Sequence, residues 1–144
     1  MISGVTDAGS LPVLERMMQF AGARQRLLAD AVANFNTPGY RAQDVSVEDF
    51  QSSLAEAADE RRIRHRGRAG TLELEGSDQV RVRPEGLRLE PGEANENILF
   101  HDGNDRDLER TMQAVVENVM SFRSAISLMR TQYDQLLSAV RERP

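Results

Sequence analysis

Ten large apolar residues recur at alternating spacings of four and three along the last third of the chain. Turn-forming and acidic residues, 102–105, precede this run, and Arg141 and Arg143 follow it. The repeat consists of Leu108, Met112, Val115, Val119, Phe122, Ile126, Met129, Tyr133, Leu136 and Val140. Four-three spacing places these residues on one face of an α-helix, and the flanking charges suit its two ends. The pattern predicts one long helix whose apolar seam runs roughly 50 Å.

A shorter repeat of the same kind lies near the N-terminus. Ser10 is a suitable N-cap, and Pro12 falls in the first turn, where its missing N–H is tolerated. The apolar positions of this seam are Leu14, Met18, Ala21, Leu28, Val32 and Phe35. Gln25 interrupts the series. The N-terminal seam spans roughly 35 Å, so pairing it with the C-terminal seam leaves part of the longer one uncovered.

The uncovered part of the C-terminal seam predicts a partner surface. Burial of one large aliphatic side chain is worth roughly 1.5–3 kcal/mol. Three such side chains left in water forgo about 5–9 kcal/mol, which is comparable to the stability of a whole small domain. The alternative is a self-contained helical hairpin in which the middle segment covers the remainder.

The middle of the chain differs from both ends. Residues 51–62 are compatible with a short helix, whereas 71–74, 80–82 and 87–89 alternate like short strands separated by tight turns. Residues 90–97 are predicted to form a loop. We therefore expect a mainly α fold, with two long terminal helices that pair as a coiled-coil core and a small β-rich or irregular middle segment. The predicted divisions are 1–50, 51–100 and 101–144, of which the first and last pack as one helical domain.

A rigid turn is expected to stop the N-terminal helix near Asn36. Pro38 disfavours the α conformation at Thr37, and Gly39 can adopt the positive φ that the third position of a type II turn requires.

Composition and motifs argue against several classes of protein. The chain contains no cysteine, which excludes thiolate chemistry. Its formal net charge is −5, which disfavours a general binder of polyanions. His65 and His101 lack a second histidine at ligand spacing, and the acidic run at 102–107 lacks the glycine and glutamate of a calcium loop. Neither a catalytic motif nor a metal or cofactor site is predicted. No apolar run is long enough to span a membrane, and no secretory signal is recognised.

Two motifs near opposite ends of the chain resemble bacterial flagellar axial proteins. The first, at the turn, comprises Asn34, Asn36, Thr37, Pro38, Gly39 and Tyr40. The second, residues 100–111, resembles the Asp-Gly-Asn entry to the last helix of proximal-rod proteins of the FlgB family, and Asn118 and Phe122 continue the likeness. Phe35 and Asn36 depart from the family pattern, which commonly has Ala and Asp there.

The resemblance implies a structural subunit of the flagellar basal-body rod, the axial drive shaft needed for motility. Its terminal helices would line the inside of a tube and its middle segment would face outward. The implied partners are other rod subunits, copies of itself, the MS-ring or its adaptor protein, and the type III export apparatus. The implied location is the rod where it spans the periplasm, reached without a cleaved signal peptide. No enzyme activity, cofactor, nucleic acid or small-molecule substrate is implied.

Two alternatives remain open at this stage. A non-flagellar homo-oligomeric coiled-coil adaptor would share the heptad seams. A nucleic-acid-associated protein would instead use the basic run that begins at Arg61 and ends at Arg68, although no aromatic residue is interleaved there to stack bases. The plainer interpretation of this run is a solvated loop or a patch that forms ion pairs with acidic neighbours.

Overall fold

The computed structural model describes residues 9–65, 70–93 and 108–141. In these ranges the chain forms helices α1 (Leu11–Ala33), α2 (Val47–Arg64) and α3 (Leu108–Arg141), and strands β1 (Gln43–Asp44), β2 (Val80–Arg83), β3 (Gly86–Leu89) and β4 (Gly92–Glu93). The two long terminal helices, α1 and α3, pack against each other, and the strands lie in the middle of the sequence. The predicted fold class is confirmed.

Helix α1 is buried on two sides. It begins after Ser10 with Pro12 in its first turn, as predicted, although the Ser10 side chain makes no capping hydrogen bond. Leu14, Ala21 and Leu28 recur every seven residues on one buried face, and Ala21 contacts α3. Phe20 faces in a different direction, toward α2 and the strands. Helix α1 therefore lies between α3 and the middle segment.

A compact apolar cluster joins α1 to the middle segment. Its buried members are Phe20, Val45, Phe50, Leu54, Ala57, Leu72, Leu74 and Val80. The rings of Phe20 and Phe50 stack with centroids 3.9 Å apart and planes inclined by 3°. Short strands alone bury little surface, but here they are one wall of a core whose other walls are α1 and α2.

Strands β2 and β3 form the predicted hairpin. They pair antiparallel, with Val80 opposite Leu89 and Arg83 opposite Gly86. The prediction of a strand at 71–74 is wrong: this segment has no regular secondary structure, because no strand among the described residues hydrogen-bonds to it. The alternation of apolar and polar residues in this segment is still reflected in its burial, since Leu72 and Leu74 are both buried in the core.

Helix α2 is longer than the sequence indicates. Ser46 caps its N-terminus by accepting a hydrogen bond from the Asp49 N–H at 3.1 Å, so the helix starts four residues before the predicted position 51. Acidic side chains in the first turn favour this start. The short pair β1–β4, which places Gln43 opposite Glu93, was not predicted and replaces part of the expected loop at 90–97.

Several predictions fall on residues outside the described ranges. They are the entry motif up to residue 107, the basic residues 66–68, the predicted loop at 94–97, and Arg143. Among the helices of the described ranges, none combines the length and apolar character that crossing a membrane requires.

Candidate assembly surface

The turn after α1 has the conformation that the sequence predicts, but the helix ends earlier. Helix α1 stops at Ala33, three residues before the expected end, with Asn34 as C-cap. The Thr37 N–H then donates to the Asn34 carbonyl at 2.8 Å, and the Tyr40 N–H donates to the Thr37 carbonyl at 3.2 Å. Gly39 has a φ of 74°, as expected for the third position of a type II turn. Two consecutive turns therefore reverse the chain before it enters β1.

Asp30, which sequence reasoning missed, organises this turn from within α1. The side-chain amide of Asn34 donates to the Asp30 carboxylate at 3.0 Å, and the Tyr40 hydroxyl donates to the other carboxylate oxygen at 2.7 Å. Partial burial, the hydrogen bond and the negative charge of Asp30 together raise the pKa of Tyr40 to about 12. The phenol is thus a proton donor over the whole neutral range. Its spacing of ten residues from Asp30 gives no helical periodicity that would have indicated the pair.

An ion pair anchors the chain just beyond the turn. The guanidinium of Arg24 donates to both carboxylate oxygens of Asp44, at 2.8 and 2.5 Å. Oδ1 of Asp44 also accepts the Val45 N–H at 2.8 Å. Only 10% of the Arg24 side chain and 21% of the Asp44 side chain are exposed. The pair fastens β1 to the middle of α1.

The contact between α3 and α1 contains a buried polar link. Asn118, only 5% exposed, donates from its side-chain amide to the Ala21 carbonyl at 2.9 Å and to Oε1 of Gln25 at 2.8 Å. Gln25 is the residue that interrupts the N-terminal seam. The interruption in that seam was the sequence signal for this link, and its significance was not recognised.

Small side chains surround Asn118 on the face of α3 that lies against α1. Ala125, one heptad later, is 1% exposed, and these are the two buried residues of the helix among those described. Thr111, Ala114 and Ser121 lie on the same face and are half-buried. Each residue of the predicted C-terminal seam in this region comes one position after a residue of this contact face. The seam therefore lies about 100° around the helix from the face that contacts α1.

The structure distributes the predicted seam residues between buried and exposed positions. In α1, Leu14, Ala21 and Leu28 are buried, Met18 and the following Phe35 are half-buried, and Val32 is 38% exposed. In α3 the half-buried seam residues are Val115, Val119, Phe122, Ile126, Met129 and Leu136. The exposed ones are Leu108, Met112, Tyr133 and Val140.

Further apolar residues of α3, which the heptad pattern does not include, are also exposed. They are Val116, Met120, Leu128 and Leu137, each more than half accessible. Most of them adjoin the exposed edge of the predicted seam on the helix surface. We call the exposed apolar residues of the two sets the outer stripe of α3, leaving out Leu128, which lies on the same face as Ala114 and Ser121: Leu108, Met112, Val116, Met120, Tyr133, Leu137 and Val140. A surface of this extent on one helix is typical of a site that another protein covers.

The described part of the basic run contacts other groups of the chain. Arg61 is 9% exposed and donates to the carbonyls of Gly70 and Gly9, both at 2.7 Å. Arg64 forms ion pairs with Glu73 and Glu60. Arg62 pairs weakly with Asp59 at 3.4 Å. Arg61 and the Arg64–Glu73 pair tie the end of α2 to neighbouring segments, whereas the other two ion pairs lie within α2. The plainer interpretation of the run expects such ion pairs with acidic neighbours.

A polar groove of about 550 Å³ lies between the C-terminal half of α1, residues 42–44 and the start of α3. Arg24, Asp44 and Glu117 are among its lining residues. Over the described ranges, histidine and carboxylate side chains form no cluster of three or more that could hold a metal ion.

Comparison with known proteins gives one consistent result. The chain is 23% identical over 141 residues to the flagellar basal body rod protein FlgB of Yersinia ruckeri, covering 93% of this chain and 95% of that protein. It is 25% identical over 137 residues to FlgB of Proteus mirabilis and 24% identical over 131 residues to FlgB of Escherichia coli K12, with 88–91% of each chain covered. The resemblance to the FlgB family is confirmed. No protein-family model matches the chain. The likeness to FlgB proteins covers nearly the whole chain, including the middle segment, which the two sequence motifs did not reach.

Proposed function

We propose that this protein is a structural subunit of the bacterial flagellar basal-body rod. The observation that carries the proposal is an α1–α3 pair that leaves a long apolar stripe of α3 uncovered, in a chain similar to FlgB proteins along almost its whole length. A subunit whose function is to pack against neighbours needs such a stripe. The role is structural, so it calls for neither catalysis nor a cofactor.

Within the rod, the proposed assembly surface is the predicted C-terminal seam together with the outer stripe, aided by the exposed end of the N-terminal seam at Val32. Covering several of these side chains supplies the driving force, since each large aliphatic residue contributes roughly 1.5–3 kcal/mol. The proposed partners are copies of this chain, other rod subunits, and the MS-ring or its adaptor protein. Export by the flagellar type III apparatus and a final position in the rod across the periplasm complete the proposal.

The turn has a separate proposed role, which is to determine where the chain leaves the inner helical layer. Two consecutive hydrogen-bonded turns, the positive φ of Gly39 and the Asp30 contacts support this role. Replacement of Pro38 by Ala would remove the restriction on Thr37 and favour a longer helix. We expect Pro38→Ala to impair assembly while leaving the chain folded, and unimpaired assembly would contradict the role.

Genetic complementation tests the function. The gene is deleted in the organism that carries it, and swimming in soft agar and basal bodies in electron micrographs are recorded. Complementation by the wild-type gene is expected to restore both, whereas Val116→Glu with Leu137→Glu is expected to restore neither. The matched control is Gln113→Glu with Gln135→Glu, which places the same charges at exposed polar positions of the same helix.

The outcomes separate the two parts of the proposal. Normal motility and intact rods in the deletion strain would refute the rod function. Full complementation by the doubly charged variant of the outer stripe, with protein levels equal to wild type, would refute the assembly surface and leave the rod function standing.

A further inference from the structure

Among the residues that the structure describes, the contact between the terminal helices contains a polar link at Asn118, on a face whose small side chains recur at heptad spacing. Both partners of the Asn118 amide lie on α1, the Ala21 carbonyl at 2.9 Å and Gln25 Oε1 at 2.8 Å. Both N–H groups of one amide nitrogen are thereby used. Asn118 is 5% exposed, so water does not readily replace these acceptors.

The side chains one heptad before and after Asn118 are also small, so size alone does not distinguish one register from the next. Thr111 and Ala125 stand one heptad before and after Asn118, and all three lie on the same face. Sliding α3 by seven residues, about 10 Å, would place another small side chain opposite Ala21. It would also move the Asn118 amide away from Gln25, whose heptad equivalents Met18 and Val32 have no side-chain oxygen to accept its N–H. An unsatisfied buried polar group is strongly unfavourable.

We propose that Asn118 is the positioning residue that fixes the register and rotation of α3 on α1. A single buried asparagine has this effect in coiled coils, where it selects one alignment among several that are equally apolar. Rotation of α3 by one position would bury Val119 and Ile126 against α1 in place of Asn118 and Ala125. That rotation would break both hydrogen bonds of the Asn118 amide, so the asparagine favours the observed orientation, in which Val119 and Ile126 are only half-buried. The inference concerns the single chain and does not depend on the proposed rod function.

The experiment uses paired spin labels on the full-length chain. Because the chain contains no cysteine, cysteines introduced at the exposed positions Arg26 and Arg130 take the labels without other changes. The two sites lie at different levels along the helix pair, so a slide changes the distance between them. Double electron–electron resonance is recorded with unlabelled protein in excess, and the wild-type background is expected to give one narrow distance distribution.

Replacing the polar link by an apolar pair removes the preference for one register of α3 without leaving a buried polar group unsatisfied. We expect Asn118→Leu with Gln25→Leu to stay helical by circular dichroism and to show a second distance population, displaced by up to about 10 Å. The matched control is Gln113→Leu with Glu117→Leu, which removes an exposed hydrogen-bonded pair within α3. The control is expected to keep the single wild-type distance.

Moving the asparagine by one heptad is expected to slide α3 along α1 in a known direction. Asn118→Ala with Ala125→Asn should slide α3 so that the transposed amide meets Ala21 and Gln25, which shortens the label distance by up to about 10 Å. The proposal is overturned if the apolar double variant keeps one narrow distribution at the wild-type distance. It is also overturned if the transposed variant keeps that distance or loses its helix content, or if the wild-type background itself gives a broad distribution.

Discussion

Removal of the carboxylate charge of Asp44 should measurably destabilise the fold, because the buried guanidinium of Arg24 then has no opposite charge beside it. The Asp44→Asn substitution keeps the shape of the side chain and one acceptor oxygen but leaves Arg24, whose side chain is 10% exposed, without its counter-ion. Breaking a fully buried pair in this way costs 3–5 kcal/mol. The 21% exposure of the Asp44 side chain lets water offset part of that loss, so we expect about 2–3 kcal/mol.

This loss should be visible in both chemical and thermal unfolding. Unfolding entropy near 2.1 cal/mol/K per residue gives about 0.3 kcal/mol/K for a chain of this size, so Tm should fall by about 7–10 °C. Urea titrations followed by circular dichroism yield the free energy of unfolding directly. Adding Arg24→Met to Asp44→Asn removes the stranded charge, and this double variant should recover at least about 1 kcal/mol of the loss.

An exposed ion pair in the same chain provides the control. The side chains of Arg64 and Glu73 are 50% and 66% exposed, and Glu73→Gln should change stability by less than about 1 kcal/mol. Equal losses for Asp44→Asn and Glu73→Gln would refute the reasoning, because burial would then have no influence on the contribution of the pair.

Three further predictions concern the core and the turn. Phe50→Ala should lower the free energy of unfolding by about 3–4 kcal/mol in urea titrations, because it deletes a stacked ring from the core. In an absorbance titration Tyr40 should ionise near its raised pKa of about 12, and Asp30→Asn should move that pKa toward the usual 10.0. Since the folded chain keeps a phenolic proton that the unfolded chain releases, the free energy of unfolding should fall as pH rises from 10 to about 12, and less so in Asp30→Asn. Gly39→Ala should destabilise the fold by about 1–2 kcal/mol, because an alanine is strained at the positive φ of this position. Gly22→Ala, inside α1, should stabilise it by up to about 1 kcal/mol. Equal changes of Tm in the two variants would contradict the role given to the positive φ of Gly39.

The long helices and the turn could be predicted from the sequence, because both depend on local properties of the chain. A helical repeat is a local property of spacing, and Pro38 with Gly39 restricts the backbone through covalent geometry alone. The hairpin at 80–89 was equally accessible, since alternation and a tight turn are local signals. Each of these features depends on residues that are near one another in the chain.

The contacts that give the chain its particular packing were not accessible in this way. Arg24 and Asp44 are 20 residues apart, and Asn118 and Gln25 are 93 apart. Local periodicity does not identify either pair: Gln25 interrupts the N-terminal seam, but nothing in the sequence points from it to Asn118. The segment at 71–74 shows the same limit. Its alternation was visible in the sequence, but the sequence did not show that no strand of the described residues would pair with it.

The sequence by itself determined that two long amphipathic helices flank a short mixed segment and that more apolar surface exists than the helix pair can cover. Only the tertiary structure decided which face of α3 meets α1. Apolar periodicity identifies the stripe with the largest side chains, but the face that packs against a neighbour also depends on which buried polar groups find hydrogen-bond partners there. Asn118 and Ala125 therefore occupy the contact, and the outer stripe remains exposed on the surface of the single chain.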